Sequence, residues 1–363
     1  MTAQRSTLND LAESLGLSAN TVSRALRGKD GVSQRTRDRV LEAAIRTGYI
    51  TVPGSRPSSQ LSAITAAPKA IALSIPSPTH TFASHLIGAI EAGARAAGYS
   101  LVLFVTEEDE AQEKVIAEQI REQQLAGAIV IAVQGADEPW RQVQAQGIPV
   151  VAVSREIPDL PADFVGVDSE AGEYAAVRHL LNQGARAIVA FEEDLEISTI
   201  TQRQHGFARA MNEVESAQAR TVRVPTRRFE NTGPQWRAEE AYRACLDLLA
   251  EGHRFDAVAV GDDYFALGVI RALSEQGIHV PEDVPIVGYG DLPFSAWTTP
   301  SLSSVQLPTK LVGELAVSIL LQRIAGDGGA ASRRLIRPEL VIRASSGARQ
   351  AALTGLGARP ISR

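Results

Sequence analysis

Residues 7–29 read TLNDLAESLGLSANTVSRALRGK, and this stretch predicts two short helices joined by a tight turn. Apolar residues at positions 8, 11, 12 and 15 recur at the spacing of one helical face. Gly16 would end the first helix, since glycine is favoured where helices terminate. Ser18 would cap a second helix, whose Val22, Ala25 and Leu26 would face the first.

The second helix leaves a polar face pointing outward, formed by Ala19, Asn20, Ser23 and Arg24. Asn and Arg side chains near the start of an exposed helix form bidentate hydrogen bonds with adenine and guanine edges in a major groove. Each such pair contributes roughly 1–3 kcal/mol of discrimination between bases. The pattern favours sequence-specific DNA binding over an ordinary helical hairpin with a solvated face.

Residues 33–48 predict a third amphipathic helix that ends at Gly48. Its apolar face, which includes Val40, would close a small three-helix core. Arginines at positions 35, 37 and 39 crowd the start of this helix, where they oppose the helix dipole. A partner rich in phosphates would compensate these charges.

Three segments together resemble the headpiece of the LacI/GalR family of bacterial transcriptional regulators: residues 17–26 (LSANTVSRAL), residues 32–40 (VSQRTRDRV) and Gly48-Tyr49. The resemblance implies a small all-α helix-turn-helix headpiece whose main base-reading side chains are those of Ala19, Asn20 and Arg24. It places near the DNA backbone the side chains of Thr7, Ser18, Thr21 and Ser23. Ala19 is small and would offer an apolar contact, for example to a thymine methyl group.

Residues 50–69 contain three prolines, a glycine and many Ser and Thr residues, which is typical of a linker between domains. In the resembled family this stretch forms a hinge helix on the operator and inserts a leucine into the minor groove, and Leu61 is the counterpart here. Pro53 and Pro57 depart from the family pattern, and no alanine stands three residues before Leu61. A plain linker therefore remains an open alternative.

Length, charge and cysteine content exclude several classes of protein. The 363 residues exceed one ordinary domain, and the first 60 hold nine Lys and Arg against five Asp and Glu although the whole chain has a net charge of −6. A basic head on an acidic body is expected where only the head contacts nucleic acid. The start of the chain lacks a secretory signal, and no apolar run is long enough for a membrane helix, which predicts a cytoplasmic protein. Cys245 is the only cysteine, so an internal disulfide and a cysteine metal cluster are excluded.

From residue 69 onward, short apolar runs alternate with helical stretches. Strands apolar on both faces belong to parallel sheets with helices on each side. Polar residues follow several of these runs, and ligands of such sheets bind beyond the carboxyl ends of the strands. The clearest runs are residues 70–75, 100–105, 128–133, 148–153, 187–191, 257–260 and 285–288.

Residues 70–347 resemble the core of the same family, which is similar to periplasmic sugar-binding proteins: a two-lobed α/β core with parallel sheets. The resemblance implies that the effector is contacted by Ser77, Thr79, Phe82, Arg155, Arg203, Asp263 and Trp297. Any one of these could instead be structural, and Asp263 could simply cap the helix that follows it. The chain departs from the family pattern at Ser154, Asp262 and Gly290.

Residues 192–196 read Glu-Glu-Asp-Leu-Glu where the family has small residues. If these carboxylates approach the cleft, they would disfavour an anionic effector and favour a neutral sugar. Most runs of charge are merely solvated surfaces, so this inference from the sequence is slight.

The sequence therefore predicts a headpiece over residues 1–49, a linker over 50–69, an effector-binding and dimerisation core over 70–347 and a disordered tail over 348–363. The predicted function is a homodimeric repressor of carbohydrate-utilisation genes that binds a near-palindromic operator, with a tetramer left open. The resemblance to the family implies that the dimer surface lies in the core, with residues 82–98 and 311–324 as candidate segments. No catalytic constellation, metal-ligand spacing or cofactor motif stands out, so an enzyme is not expected. The alternatives are a regulator that responds to a nucleobase or a partner protein, and a transport-type sugar receptor.

Overall fold

The computed structural model describes residues 8–26, 32, 36, 39–40, 69–78, 81–135, 137–227 and 233–347. The chain divides into two compact units, Met1–Ala67 and Pro68–Arg363. The first unit contains helices α1 (Leu8–Leu15) and α2 (Ala19–Leu26). Within the predicted third helix, Thr36, Arg39 and Val40 are described and are helical.

The turn between α1 and α2 has the geometry that its sequence predicts. Gly16 has a φ of 64° and its amide donates to the Glu13 carbonyl at 3.2 Å, while the Leu17 amide donates to the Ala12 carbonyl at 3.0 Å. These two bonds form a Schellman motif, which favours glycine at the left-handed position. The Ser18 hydroxyl accepts a hydrogen bond from the Thr21 amide at 3.1 Å, so the predicted stop and cap are confirmed.

The core of the first unit is small and apolar. Val22, Ala25 and Val40 are buried together with Ala12, as the sequence predicts. Ala19 was expected to point outward, but it is only partly exposed and packs against this core. The reason is helical spacing, because Ala19 precedes Val22 by three residues and shares its face.

The second unit contains twelve strands, in chain order: β1 (Ala70–Ile75), β2 (Ser100–Val105), β3 (Ala128–Val130), β4 (Val150–Val153), β5 (Asp163–Val167), β6 (Ala187–Glu193), β7 (Gln218–Val224), β8 (Ala257–Val260), β9 (Ile286–Gly290), β10 (Ser303–Gln306), β11 (Arg333–Ile336) and β12 (Glu339–Val341).

Eight helices lie between these strands: α3 (Thr81–Ala96), α4 (Glu110–Glu122), α5 (Glu138–Ala145), α6 (Ser169–Asn182), α7 (Ser198–Asn212), α8 (Trp236–Ala250), α9 (Asp263–Glu275) and α10 (Thr309–Ile324). Two short 3-10 turns, Ser295–Trp297 and Ala344–Ser346, complete the described elements. None of the helices that the structure describes is long and apolar enough to cross a membrane.

The strands form two six-stranded sheets, and we call each sheet with its helices a lobe. The first lobe has the strand order β11-β5-β4-β3-β1-β2, and the second has β12-β10-β9-β8-β6-β7. All neighbouring strands are parallel except β10 and β12. The chain passes between the lobes after β5, after β10 and between β11 and β12, so both lobes are built from distant parts of the sequence.

Helices cover both faces of each sheet, which explains why most strands are continuously apolar. In the first lobe α3 and α10 cover one face, and α4 and α5 cover the other. In the second lobe α8 and α9 lie opposite α6 and α7. Cys245 of α8 is fully buried in this packing, and burial raises its pKa to about 12, so it serves as a small packing residue.

Candidate functional site

A cavity of about 320 Å³ lies where the carboxyl ends of the strands of both lobes face each other. Its walls come from residues that follow β1, β3 and β4 of the first lobe, from the ends of β6, β8 and β9 of the second, and from helices α3 and α7. This is the place where parallel α/β sheets bind ligands. The cavity is therefore the candidate effector site.

Four of the predicted effector residues line this cavity: Ser77, Phe82, Arg155 and Arg203. They come from both lobes and from distant parts of the chain, so the structure brings them together. Thr79 lies outside the described residues.

The structure corrects the expectation for Asp263, which does not line the cavity. Its side chain is fully buried. One carboxylate oxygen accepts a hydrogen bond from the Ser304 hydroxyl at 2.6 Å, and the other accepts from the Leu292 amide at 2.7 Å and the Ser295 hydroxyl at 2.8 Å. Asp263 thus stabilises the loop that follows β9. Its carboxylate already accepts three hydrogen bonds from the protein.

Asp262, the residue before Asp263, lines the cavity. Its carboxylate accepts from the Tyr264 amide at 2.8 Å and caps α9, so the capping role considered for Asp263 belongs to its neighbour. Burial raises the pKa of Asp262 to about 6, although Arg237 at 3.5 Å acts in the opposite direction. The signal in the sequence was its position directly after the β8 strand.

Trp297 also lies away from the cavity, with 87 % of its surface exposed. It ends the short turn Ser295–Trp297, in which Ser295 is buried against Asp263. Because Ser295 points inward, Trp297, the third residue of this turn, points outward. The expectation that Trp297 stacks on the ligand is therefore corrected.

Arg155 enters the cavity wall from the first lobe and is held from behind by Glu108. The guanidinium donates two hydrogen bonds to this carboxylate, one of them at 2.6 Å, and a third to the Ala132 carbonyl at 3.2 Å. Both side chains are almost fully buried. Glu108 and Ser154, the residue before Arg155, have φ values of 57° and 66°, which non-glycine residues rarely adopt. The backbone is thus strained on both sides of the ion pair, as is common at functional sites.

Arg203 enters from the second lobe and is held by Glu192 in the same way. Its Nε and Nη2 atoms donate to the two carboxylate oxygens at 2.8 and 2.6 Å, and its guanidinium lies 4.9 Å from the centre of the Tyr289 ring. The negative charge of Glu192 raises the pKa of Arg203 against the effect of burial. Gly206 allows α7 to approach α6, because a Cβ there would overlap the Glu170 carbonyl oxygen. This close packing sets the position of Arg203, one turn earlier.

Both cavity arginines are therefore neutralised by carboxylates of the protein itself. Such bidentate, charge-assisted bonds are strong, and a ligand anion would have to displace a buried glutamate to use either arginine fully. Glu193, from the loop with unusual carboxylates, also lines the cavity and accepts from the Thr226 hydroxyl at 2.5 Å. The walls can exchange hydrogen bonds with a polar, uncharged ligand.

Sequence reasoning missed the glutamates that hold the two arginines. Glu192 lies in a stretch whose acidic composition was noticed, but nothing indicated its pairing with Arg203. Glu108 lies 47 residues before Arg155, and the fold brings them together because β2 and β4 end at the same edge of the sheet. No three or more His, Cys, Asp or Glu side chains in the described part of the chain are grouped so that they could hold a metal ion.

The candidate DNA-binding surface lies on α2. Asn20 and Arg24 are exposed, as is Ser18 at the cap, while Ala19, Thr21 and Ser23 are partly buried. The Ser18 and Thr21 hydroxyls share a hydrogen bond of 2.8 Å, which orients the start of the helix. Thr7 and Leu61 lie outside the described residues.

Comparison with protein families gives two matches. Residues 7–51 match the model of bacterial regulatory proteins of the lacI family, and residues 177–346 match that of a periplasmic binding protein-like domain. The chain is 30 % identical over 344 residues to the HTH-type transcriptional regulator MalR of Streptomyces coelicolor, and the alignment covers 93 % of this chain and 96 % of that protein.

Solved structures share the fold. The lac repressor dimer bound to operator and the anti-inducer ONPF is 25 % identical, with a TM-score of 0.68, and the match covers 94 % of this chain and 99 % of that one. A LacI family transcriptional regulator from Enterococcus faecium with bound ribose is 22 % identical, with a TM-score of 0.68, and covers 77 % of this chain and 98 % of that chain.

These matches confirm three predictions: the family resemblance, the two-lobed core with a helix-turn-helix headpiece, and a regulator in place of an enzyme. The exposed recognition-type helix and the cavity between the lobes are the parts that such a regulator needs. The chain belongs to the LacI family of bacterial regulatory proteins and is a DNA-binding transcriptional regulator with a ligand-binding core.

Proposed function

We propose that the protein is a cytoplasmic repressor of carbohydrate-utilisation genes whose affinity for operator DNA changes when a neutral sugar occupies the cavity between the lobes. The observation that carries the proposal is the state of the two cavity arginines. Each is held by a buried glutamate, Arg155 by Glu108 and Arg203 by Glu192. Among the described residues that line it, the cavity thus offers polar groups but no Lys or Arg without a carboxylate partner for a phosphate or carboxylate.

The lining suits a compact polyhydroxylated ring. Phe82, Phe265 and Tyr289 provide aromatic surface, and Ser77 and Gln306 provide groups that hydrogen-bond with hydroxyls. A volume of about 320 Å³ is at the lower end of the range for small-molecule sites. The same fold holds ribose in the Enterococcus faecium regulator, which supports a sugar as the ligand class.

DNA reading is assigned to the exposed face of α2. In this proposal Asn20 and Arg24 contact base edges, and Ala19 contributes an apolar contact. Thr7, Ser18, Thr21 and Ser23 contact the DNA backbone, and Leu61 acts as a minor-groove wedge.

The proposed assembly is a homodimer. Two recognition helices must enter major grooves about 34–36 Å apart to read a near-palindrome. The lac repressor structure with operator, which shares this fold, is a dimer. We assign the dimer contact to α3 and α10, which pack against each other in the first lobe, and Leu311 on α10 is 45 % exposed. A monomer by sedimentation at micromolar concentration would contradict this assembly.

A ligand changes operator affinity only through its different affinities for the two states of the protein. A regulator that responds to a nucleobase or a partner protein is the second candidate, because one fold can hold different ligands.

The proposal is tested by calorimetry with a panel of neutral sugars, each beside its phosphorylated or acidic counterpart: ribose with ribose 5-phosphate, and glucose with glucose 6-phosphate and gluconate. We expect a neutral sugar to bind, and its anionic counterpart to bind at least about tenfold more weakly, because the arginines are already paired. Tight binding of an anionic sugar would contradict the proposed ligand class. Binding of a nucleobase alone would favour the second candidate.

A further inference from the structure

A second cavity, of about 410 Å³, lies in the second lobe between α7 and the strands β6 and β7. We call it the edge cavity, because β7 is the edge strand of its sheet. Ala219 and Thr221 form its floor on β7 and are exposed, so the cavity opens to solvent. At its inner end it reaches Glu173, Glu192 and Arg203.

Glu173 is the unusual residue of the edge cavity. It lies on α6 and is only 3 % exposed. Within the described part of the chain, no donor forms a hydrogen bond with its carboxylate, although buried polar groups nearly always have such a partner. A buried carboxyl group that lines a cavity and lacks a donor points to a ligand that supplies one.

The charges around Glu173 favour a cation as that ligand. Glu192 on β6 is close enough to act on it electrostatically, as is Arg203 on α7. The Nε and Nη2 atoms of Arg203 are already committed to Glu192, so two carboxyl groups share one buried guanidinium. Arg223, beside Glu192 in register on β7, is exposed and therefore screened by water.

The remaining walls of the edge cavity are part polar and part apolar. Gln204 and Asn212 of α7 are among the polar residues. The apolar part comes from Phe207, Ala208 and Met211 of α7 and from Ala190 of β6. A ligand that fits has one charged end and a short hydrocarbon part.

We propose that the edge cavity is a second ligand site, which binds a primary alkylammonium ion with its ammonium group on Glu173 and its hydrocarbon chain along Phe207 and Met211. The site is distinct from the cavity between the lobes, and it does not depend on the proposed sugar effector. Arg203 lines both cavities, so a ligand on Glu173 lies next to the ion pair that faces the effector.

Binding of the ammonium ion at the edge cavity should be coupled to proton release from Glu173. Burial and the charge of Glu192 raise the pKa of Glu173 to about 8, while Arg203 acts in the opposite direction, and the Tyr289 phenol is the other titratable group nearby. The raised pKa favours the protonated form of Glu173 in the empty site near neutral pH. Because an ammonium ion favours the carboxylate, its binding should release up to one proton, and its affinity should rise between pH 6 and pH 8.

The test is isothermal calorimetry of the full chain with n-butylammonium chloride at constant ionic strength, compared with n-butanol and sodium butyrate. We expect saturable binding of butylammonium, at least about tenfold tighter than that of butanol, and none of butyrate. The measured enthalpy should depend on the ionisation enthalpy of the buffer, because a proton is released.

Three variants locate the site. Glu173→Gln mimics the protonated group and should fold, and it should weaken butylammonium binding about tenfold or more. Ala219→Phe changes only the exposed floor and should block entry without touching the buried charges. Glu170→Gln is the matched control on α6, since Glu170 pairs with Arg209 at the surface, and it should bind as the unmodified chain does.

Three results would overturn the proposal: butyrate binding as tightly as butylammonium, unchanged binding in both Glu173→Gln and Ala219→Phe, or no saturable binding of butylammonium at tens of millimolar. Each is read directly from the titrations, and none depends on whether a sugar binds between the lobes.

Discussion

Each lobe places one arginine in the wall of the effector cavity, but the buried glutamates beside the two arginines have different partners. In each lobe the arginine forms a bidentate ion pair with one glutamate, and a second glutamate is buried nearby. In the first lobe these residues are Arg155, Glu108 and Glu113; in the second they are Arg203, Glu192 and Glu173.

The two buried glutamates differ in their partners. Glu113 accepts a hydrogen bond from the Val133 amide at 2.9 Å and thereby fixes the loop after β3. Glu173 accepts no such bond from the described residues and faces the edge cavity. Burial is the main cause that raises both pKa values, to about 7 for Glu113 and about 8 for Glu173. A buried glutamate therefore stabilises the fold where a backbone amide donates to it. Where no such donor is present, its carboxyl group is available to a ligand.

The largest expected effect is the loss of both carboxyl groups around Arg203. Glu192→Gln alone leaves a buried guanidinium, but Glu173 can ionise and replace the lost charge. In Glu173→Gln/Glu192→Gln no such replacement exists, and an uncompensated buried charge costs about 3–5 kcal/mol. The free energies of unfolding, measured in urea, should therefore show a double-variant loss well above the sum of the single losses. Additive losses would mean that Glu173 does not compensate Arg203.

The second expected effect is a dependence of the free energy of unfolding on pH. The folded-state pKa values of Glu113 and Glu173 lie above the unfolded value of 4.5. Their contribution to stability is therefore fully present below about pH 4.5, and it is lost as the pH rises through 7 and 8. Over this window the unmodified chain should lose stability on the order of a few kcal/mol, since one pKa unit corresponds to about 1.4 kcal/mol.

Glu113→Gln and Glu173→Gln separate the two contributions. In thermal unfolding followed by circular dichroism, each variant should flatten the stability profile between about pH 4.5 and the folded-state pKa of the group removed, which is about 7 for Glu113 and about 8 for Glu173. Glu170→Gln, an exposed change on α6, should leave the profile unchanged. Profiles that keep their slope in both buried variants would show that neither glutamate is protonated in the folded state.

The smallest expected effect concerns a hydrogen bond between the lobes at the start of α7. The Gln134 side-chain carbonyl, from the first lobe, accepts from the Ser198 amide at 2.8 Å. Ile197, the residue before this helix, cannot cap it. Gln134→Ala should cost about 1 kcal/mol, and Gln134→Glu should recover the cap because a carboxylate also accepts from a helix N-terminus.

Hydrogen exchange of the first-turn amides of α7 measures this bond directly. Exchange should speed up in Gln134→Ala and return towards the original rate in Gln134→Glu. Equal rates in all three proteins would show that the bond between the lobes does not form in solution.

The strands that the sequence predicts well are those with continuously apolar sequence. The runs at 70–75, 100–105 and 257–260 agree with β1, β2 and β8 to the residue, because continuous apolar sequence leaves little choice. The edge strand β7, QARTVRV, was not predicted, because one of its faces is open to water and half of its residues are polar. The strand β11, RRLI, was missed for a similar reason.

The site was predicted less completely than the fold. The resemblance to the family indicated Arg155 and Arg203, and the structure places both in the cavity wall. The roles of the neighbours Asp262 and Asp263 were exchanged, because one residue along the chain decides which carboxylate faces the cavity. The glutamates behind the arginines depend on contacts between distant segments, which no local pattern encodes.

The most direct test of the central claim, that the chain is a sequence-specific DNA-binding regulator, is selection from a random duplex library at defined salt. The account predicts enrichment of a near-palindrome, and loss or change of that sequence in Asn20→Ala and Arg24→Ala, each costing about 1–3 kcal/mol. Enrichment of no sequence above the non-specific background, or the same sequence from all three proteins, would contradict it.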